Sequence, residues 1–491
     1  MLWKRAWEGR ESERYAGGMA HETIAAHWAQ LIGLERPWEV REVELSHQDQ
    51  EVRIHVVRGA RPRLRCPECD RVCGGYDTRE RRWRHLDTMQ YRTILIAQIP
   101  RVRCEEHGVQ QIAVPWSDPR SRFTALFEAL VIDWLREANV LAISRRLGLS
   151  WAQVAGIQRR AVERGLARRE AVPSTEIGVD ETSFQKRHEY VTVVHDIERE
   201  VVVHVADGRK QEALEAYFED LGPEACASLE RIAMDMWAPY IAATRAKVPD
   251  ADEKIVFDKF HIAKHLGDAV DRVRRQENRE LVSQGSDRLK GSKYLWLQNP
   301  DQMSGSQWRE FAPLRDSRLK VARAWAIKEA AMLLWGYVRR GWAERMWTKW
   351  YAWAIRSRLE PIRRVARMIK KHWEGVMNAA TTSVTNARAE AINSRIQWIK
   401  RMACGFRNRE NFRNAIYFHL SGLDLYPETL KSAHTKLRSA RNEMNQSQTR
   451  NASNLAWSRP GPSVPTYPRI SGHDPRTMVQ NLPMTIWFVA W

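Results

Sequence analysis

The sequence lacks the features of a membrane protein or of a disulfide-rich secreted one. It has no apolar run of the roughly 18 residues that a transmembrane helix needs. Residues 1–18 lack the apolar core of a signal peptide, and Met19 is an alternative start. Six cysteines in 491 residues are too few for a disulfide framework. We therefore expect a cytoplasmic protein, most simply a prokaryotic one.

Acidic residues are in deficit relative to basic ones. The chain has 60 Asp and Glu against 79 Lys and Arg, a net charge of +19. Such a balance favours a polyanionic partner, most simply nucleic acid, although charge alone does not separate DNA from RNA or from a membrane surface. The length allows two to four domains.

Four of the metal-ligating side chains form two closely spaced pairs. Cys66 and Cys69 form a C-x-x-C pair, and Cys104 and His107 form a C-x-x-H pair. Each pair suits a turn that presents two ligands to one tetrahedral Zn²⁺, and a strand-like segment separates them, which predicts a zinc ribbon with a structural ion. Cys73 is a competing ligand whose spacing fits less well. The alternative is a set of unrelated reduced cysteines.

A helix-turn-helix pattern follows. Residues Val140–Leu147 predict a short helix that Gly148 ends, and Ser150 is a candidate N-cap for a recognition helix over Trp151–Arg160. Ala142 is expected to pack inside the motif. A plain helical hairpin is the alternative interpretation. The side chains expected to face DNA are Gln153, Gln158, Arg159 and Arg160.

From Thr175 the apolar period changes from helical to two. Three strand patterns, TEIGVDETSF, HEYVTVVHDI and REVVVHVAD, precede a helix, the strand LERIAMDMW, a second helix and the strand EKIVFDKFH. This order predicts an α/β ribonuclease-H-like domain. A basic, Trp-rich helical segment over about 262–377 interrupts it, and its Trp residues form either a helix-bundle core or a platform for bases.

Three carboxylates in this region predict a catalytic metal site. Asp180 ends the apolar run EIGVD, Asp235 ends RIAMD, and the first and fourth strands of such a sheet are neighbours. A helix packed on the sheet can add Glu390, and three acids suit two Mg²⁺ or Mn²⁺ ions for phosphoryl transfer on DNA. Asp180 as a turn residue beside a decoy Glu181, Asp235 as an N-cap and Glu390 as a surface charge are the alternatives.

The helix around Glu390 has an apolar stripe and a polar face, which includes Asn393 as a supporting residue. Asp258 and His261, just after the fifth strand, are expected to support the acids, with His261 contacting a phosphate or orienting Asp258. An N-cap Asp with a surface His is the alternative. The basic side chains expected to clamp DNA phosphates are Arg388, Arg395, Lys400 and Arg401.

The combined motifs resemble a known family. They are CPEC with CEEH, the helix-turn-helix, GVDETSF, AMDMWAPY, FDKFHIAKHLGDAVDRVRRQE and TNARAEAINSRIQWIKRMACGFRN. Together they resemble a bacterial insertion-sequence transposase of the ISL-three family, a DDE-type enzyme, over roughly residues 40–425. The resemblance implies that a zinc ribbon and a helix-turn-helix read the element ends. It places the catalytic Asp, Asp and Glu on Asp180, Asp235 and Glu390, although Ala389 and Ala391 stand where many relatives have a glycine.

The resemblance favours a DNA transposase that cleaves and transfers strands of double-stranded DNA, as a nucleoid-associated homo-oligomer. A ribonuclease-H-like nuclease or resolvase, and a catalytically dead DNA-binding regulator, are the alternatives. The predicted boundaries are 1–39 for an N-terminal extension, 40–118 for the zinc ribbon, 119–170 for the helix-turn-helix, 171–425 for the catalytic domain and 426–491 for a partly disordered tail.

Overall fold

The computed structural model describes residues 18–59, 63–170, 172–185, 189–337, 339–381, 387–428 and 430. They form two units. One contains the described residues up to 169 together with those from 423 onward, and the other contains residues 170–422. The remainder of the predicted C-terminal tail lies outside the described residues.

The first unit begins with a helix and a five-stranded sheet of order β1-β2-β4-β3, with β5 paired to β4. Its elements are α1 (Gly18–Leu31), β1 (Trp38–Ser46), β2 (Glu51–Arg58), β3 (Gly74–Arg84), β4 (Arg92–Cys104) and β5 (Gly108–Gln111). Ile32 and Trp38 are buried in the same core as Ile54 and Leu95 of the sheet. The predicted N-terminal extension therefore packs against this sheet from about residue 25 onward.

Three helices complete the first unit: α2 (Ala125–Glu137), α3 (Val140–Leu147) and α4 (Trp151–Ala167). Residues after 422 return to them. The guanidinium of Arg168 donates to the main-chain oxygen of Tyr426 at 2.6 Å, and the hydroxyl of Tyr426 donates to Asp133 of α2 at 2.5 Å. The predicted catalytic domain extended to 425, whereas the structure assigns residues 423 onward to the N-terminal unit.

The second unit is built on a five-stranded sheet of order β10-β9-β6-β7-β8. The strands are β6 (Glu176–Gln185), β7 (Glu189–Asp196), β8 (Val201–Asp207), β9 (Arg231–Met234) and β10 (Ile255–Phe257). β6, β7 and β8 are antiparallel neighbours, whereas β9 runs parallel to both β6 and β10. This is the predicted ribonuclease-H-like order, in which the first strand lies beside the fourth.

Helices cover this sheet and form the predicted insertion. They are α5 (Gln211–Leu221), α6 (Pro223–Ser228), α7 (Ala238–Lys247), α8 (Ala251–Lys254), α9 (Lys259–Ser283), α10 (Lys293–Leu297), α11 (Gly305–Arg315), α12 (Lys320–Leu334), α13 (Arg340–Arg356), α14 (Glu360–Lys371), α15 (Trp373–Thr381), α16 (Ala387–Met402) and α17 (Arg409–Leu420). Trp296, Trp325, Trp347 and Trp350 are buried in the shared core of sheet and insertion, so these side chains are core residues and not a base platform.

One further helix, α17, follows the helix that carries Glu390. The main-chain N–H of Val205 in β8 donates to the hydroxyl of Tyr417 in α17 at 2.8 Å, which ties this helix to the sheet. Among the described residues, no helix is both long and apolar enough to cross a membrane.

Candidate active site and metal centre

The two cysteine-containing pairs of the first unit come together in space. Cys66 and Cys69 lie in the turn before β3, and Cys104 ends β4 just before His107. The sulfur atoms of Cys69 and Cys104 are 3.7 Å apart, and Nδ1 of His107 lies 3.6 Å from the sulfur of Cys104 and 3.8 Å from that of Cys66. A metal with ligand bonds of about 2.0–2.3 Å in tetrahedral geometry fits these separations.

Local hydrogen bonds favour the ligating form of Cys104. The main-chain N–H of His107, followed by its ring, lowers the pKa of the Cys104 thiol to about 6, and the thiolate is the metal-binding form. Cys73 donates to the carbonyl of Arg71 at 3.4 Å and is not in the group. Among the described residues, one group of three or more His, Cys, Asp or Glu side chains has all its ligand atoms within 4.8 Å of one another. It consists of Cys66, Cys69, Cys104 and His107.

The helix-turn-helix forms at the predicted residues. Gly148 has a φ of +63°, the left-handed conformation that ends α3. Ser150 then caps α4, and its side chain and that of Gln153 exchange hydrogen bonds with each other's main-chain N–H groups in a capping box. The predicted start of the recognition helix is correct, but the helix continues to Ala167 and not only to Arg160.

Two of the residues predicted to face DNA are engaged inside the protein. Gln158 is buried, because it lies on the same face of α4 as Val154 and Ala161. Arg160 donates to the carboxylate of Glu128, which is only 1% exposed. Of the predicted DNA-facing side chains, Gln153 and Arg159 are exposed.

The prediction that Ala142 packs inside the motif is also wrong. Ala142 is exposed, whereas Ile143, Ser144 and Leu147 form the buried face of α3. The physical reason is helical periodicity, because the buried face of α3 passes through positions 143, 144 and 147 and Ala142 lies outside it. Its main-chain N–H donates to the side chain of the N-cap Asn139.

Three aspartates follow the register of the parallel strands of the second unit. Gly178 of β6 pairs with Ala233 of β9, and Asp180 and Asp235 each come two residues later. Phe257 of β10 pairs with Met234, so Asp258 falls level with Asp235. Strand order and register together therefore align three carboxylates along one edge of the sheet.

Asp180 is held by its neighbours on two sides. One carboxylate oxygen accepts the main-chain N–H of Glu181 at 2.7 Å, and the other accepts the side-chain amide of Asn393 from α16. Burial, followed by the charge of Asp235, raises the pKa of Asp180 against the lowering effect of these bonds. Asp180 is thus a partly buried acid in contact with the helix that contains Glu390, and not an exposed turn residue.

The polar face of α16 runs along β6. Gln397 donates to the hydroxyl of Thr182 at 3.3 Å, and Lys400 donates to the main-chain oxygen of Ser183 at 2.7 Å. Glu390 lies one turn before Asn393, and positions three apart share a face of a helix. The side chain of Glu390 lies outside the described residues.

The predicted phosphate clamps differ in their surroundings. Lys400 donates a hydrogen bond to the main chain of β6, whereas the side chains of Arg395 and Arg401 are exposed. The side chain of Arg388 lies outside the described residues. The opposite face of α16 is the predicted apolar stripe, with Ile392, Ile396 and Ile399 all buried.

His261 contacts an aspartate of the row directly. Its Nε2 lies 2.8 Å from Asp235 and 3.6 Å from Asp258. Burial alone lowers the pKa of His261, but the hydrogen bond to Asp235 and the surrounding acids outweigh it and raise that pKa. Asp258 also caps α9 by accepting the N–H of Phe260 at 2.7 Å, so the N-cap alternative describes Asp258 but not His261. Trp237, and not Asp235, is the N-cap of α7.

Sequence reasoning missed an aromatic and arginine cluster beside Asp180. The guanidinium of Arg209 lies between two rings, 4.2 Å from the centre of Tyr190 and 4.7 Å from that of Trp237. The guanidinium also donates to the carboxylate of Glu181 at 3.2 Å, so Glu181, the second acid of the segment GVDE, is the ion-pair partner of Arg209. The one signal in the sequence was Trp237, two residues after Asp235.

Comparison with known proteins identifies these parts in the same order. A zinc finger of the transposases of IS204, IS1001, IS1096 and IS1165 matches residues 62–107, a helix-turn-helix domain of transposase family ISL3 matches 112–162, and a transposase model matches 177–416. Together these matches span the predicted zinc ribbon, helix-turn-helix and catalytic sheet.

Two curated relatives cover most of the chain. It is 28% identical over 352 residues to the transposase for insertion sequence element IS1001 of Bordetella parapertussis, a match over 71% of this chain and 86% of that protein. It is 27% identical over 412 residues to the transposase for insertion sequence element IS1557 of Mycobacterium tuberculosis, over 77% and 91%. Because the zinc-finger, helix-turn-helix and catalytic matches all lead to the same group, we conclude that this chain is a DNA transposase that belongs to the ISL3 family of insertion sequences.

Proposed function

We propose that Asp180, Asp235 and Glu390 are the catalytic acids of this transposase and hold two divalent cations, Mg²⁺ or Mn²⁺. The observation that supports this most is the strand register, which places Asp180 and Asp235 at the same level on neighbouring strands. The chemistry of the donors fits, because Mg²⁺ prefers carboxylate oxygens and keeps open positions for substrate phosphate and water. When bound, such a metal pair activates the attacking oxygen and stabilises the leaving one.

The reaction that fits this site is two successive phosphoryl transfers on DNA. In the first, the oxygen of a water molecule bonds to the phosphorus at the element end, the 3′ oxygen leaves as a 3′-OH and a 5′ phosphate remains. In the second, the 3′-OH loses its proton and attacks a phosphorus of target DNA, releasing a new 3′-OH. No covalent protein intermediate is needed, and the residues of the site position the DNA and the carboxylates.

Asn393 and His261 are proposed as positioning residues. Asn393 donates to Asp180 from α16, and His261 contacts Asp235 at 2.8 Å from α9. Such bonds fix the direction of a ligating oxygen, as outer-shell partners of metal ligands do. Asp258, level with Asp235, adds a third carboxylate to the same edge.

The quartet of Cys66, Cys69, Cys104 and His107 is proposed to hold a structural Zn²⁺. The short separations among three sulfur atoms and one ring nitrogen support this, since all four tetrahedral positions are then filled by protein. The ion would join the turn before β3 to the end of β4, and so organise the unit that carries the helix-turn-helix.

The proposed partners are the double-stranded ends of the element and a double-stranded target. Gln153 and Arg159 of α4, with the exposed Arg395 and Arg401, remain candidate contacts to bases or phosphates. Because two ends must be joined in one reaction, we propose that a homo-oligomer assembles on DNA. Its place of action is then the bacterial cytoplasm, at the nucleoid.

A paired assay on matched variants tests the assignment. Asp180→Asn, Asp235→Asn and Glu390→Gln are each expected to lower Mg²⁺-dependent strand cleavage and transfer by at least 100-fold, because a metal ligand is lost. Gel-shift binding of element-end DNA is expected to stay near wild type. Asp287→Asn, an exposed acid of the insertion, is the control and should retain both activities.

His261→Ala in the same assay separates positioning from catalysis. The expected result is a higher Mg²⁺ requirement, with much of the rate restored at saturating Mg²⁺ and with His261→Gln closer to wild type. A variant of Asp180, Asp235 or Glu390 that still transfers strands at the wild-type rate would remove that residue from the site.

A further inference from the structure

A cavity of about 450 Å³ opens beside the row of acids, at the start of β7, the end of β8 and the starts of α5 and α7. Tyr190, Arg209, Lys210 and Trp237 are among the residues that line it. Its size is that of a small-ligand site. Its walls combine aromatic rings with two basic groups, and Glu212 is the acidic residue among them. The acid chemistry described above makes no use of it.

The cavity is joined to the catalytic edge by direct contacts. Arg209 donates to Glu181 at 3.2 Å, and Glu181 is the chain neighbour of Asp180. Trp237 comes two residues after Asp235, and its indole N–H donates to the main-chain oxygen of Arg209 at 3.0 Å. A DNA strand whose phosphate lies at the acids would therefore have its adjacent nucleotide next to this cavity.

The aromatic side chains are fixed and yet open to solvent. The indole of Trp237 is held by its bond to Arg209 and by the guanidinium packed against its ring, but the residue is 36% exposed. A large apolar ring that is held in place at a cavity mouth offers a stacking surface without a large loss of conformational entropy. Every DNA base has a flat face that stacks on such a ring, whatever its sequence.

We propose that this cavity binds an unstacked nucleotide base of the DNA strand held at the acids, an inference that rests on the proposed function. Trp237 stacks on the base, the guanidinium of Arg209, which packs against the rings of both Tyr190 and Trp237, holds the indole in place, and Lys210 contacts the adjoining phosphate. Enzymes that take a base out of the duplex receive it in a pocket where it stacks on aromatic or apolar side chains.

The test uses a short DNA duplex with one unpaired 2-aminopurine at a frayed end, and the fully paired blunt duplex of the same sequence. Wild-type protein is expected to change the emission of 2-aminopurine and to bind the frayed duplex more tightly than the blunt one. Trp237→Ala should abolish the emission change and weaken binding of the frayed duplex by roughly 5- to 150-fold, the range of one lost base stack. Its binding of the blunt duplex should be unchanged.

Two further variants keep the result interpretable. Trp237→Phe should retain most of the emission change, because a phenyl ring still stacks. Tyr294→Ala removes an aromatic ring of the insertion that is 72% exposed and outside the cavity, and should behave as wild type. Thermal unfolding of each variant shows that it is folded.

The outcome separates this inference from the proposed function. If Trp237→Ala keeps the wild-type emission change and preference for frayed DNA while the aspartate variants lose strand transfer, the base pocket is wrong and the catalytic assignment stands. If the emission change depends on Trp237 but the Asp180 and Asp235 variants transfer strands normally, the pocket stands and the catalytic assignment is wrong.

Discussion

At the scale of single residues, the catalytic strand depends on a glycine next to a histidine. Gly178 lies two residues before Asp180 and pairs with His195 of β7. A Cβ added at Gly178 would overlap the imidazole ring of His195. His195 is buried and has no hydrogen-bond partner for either ring nitrogen among the described residues, so it acts here as a flat packing group.

Gly178→Ala is therefore expected to destabilise the catalytic unit by about 1–3 kcal/mol, the usual cost of an overpacked site. Chemical unfolding, followed by circular dichroism, measures the change. Gly305→Ala is the matched control, because a Cβ at this first position of α11 meets no atom within 4 Å. An equal loss at both positions would mean that the contact with His195 is unimportant.

The same histidine predicts a dependence of stability on pH. Burial lowers the pKa of His195 to about 4, below the usual 6.5 that applies in the unfolded chain. The unfolded state therefore binds more protons between these values, and folding stability falls as pH drops from about 6.5 toward 4. From pH 7 to 5 this histidine is expected to cost about 2 kcal/mol.

The measurement compares the pH slope of the unfolding free energy in wild type and in His195→Gln. The variant is expected to have the flatter slope over this range, whatever its stability at pH 7. Parallel slopes would show that His195 is protonated at its usual pKa in the folded protein.

At the scale of elements, α4 is fixed to α2 by a buried carboxylate. Glu128 of α2 is 1% exposed and accepts hydrogen bonds from Arg160 at 3.1 Å and Arg164 at 3.0 Å. The hydroxyl of Ser121 donates to it as well. Removing one partner of a buried ion pair leaves the others with an uncompensated charge in a poorly solvated place.

Glu128→Gln is expected to lower the stability of the first unit by about 3 kcal/mol. Glu163→Gln is the control, because its pair with Arg159 on the same helix is exposed and should contribute within about 1 kcal/mol. Thermal unfolding compares the two variants directly. If both shift the midpoint equally, the contacts of Glu128 do not anchor the recognition helix.

The elements also show what the sequence could predict. The apolar strand endings were enough to predict that Asp180 and Asp235 lie level on neighbouring strands, because strand order and parallel register decide it. The strand β3 was missed because it lacks an apolar alternation, being exposed over most of its length. The burial of Gln158 could not be predicted, because it depends on which way α4 faces α2, and a polar residue on a mixed helix carries no mark of that orientation.

At the scale of the molecule, the two units are expected to respond differently to loss of zinc. The four proposed ligands all belong to the first unit, and they join segments that are about 40 residues apart in sequence. Because the unfolded chain does not contain a preformed site, the free energy of zinc binding contributes to folding of that unit. The catalytic sheet of the second unit contains none of these ligands.

We therefore expect one zinc ion per chain in the purified protein, and none in Cys104→Ser. Loss of zinc by chelation or by this substitution should abolish amide hydrogen-exchange protection in β4 and leave β6 protected. Cys404→Ser, an exposed cysteine of the second unit, should retain the metal and both patterns. Equal loss of protection in β4 and β6 would mean that the two units fold as one, whereas a Cys104→Ser protein with full zinc content would exclude Cys104 as a ligand.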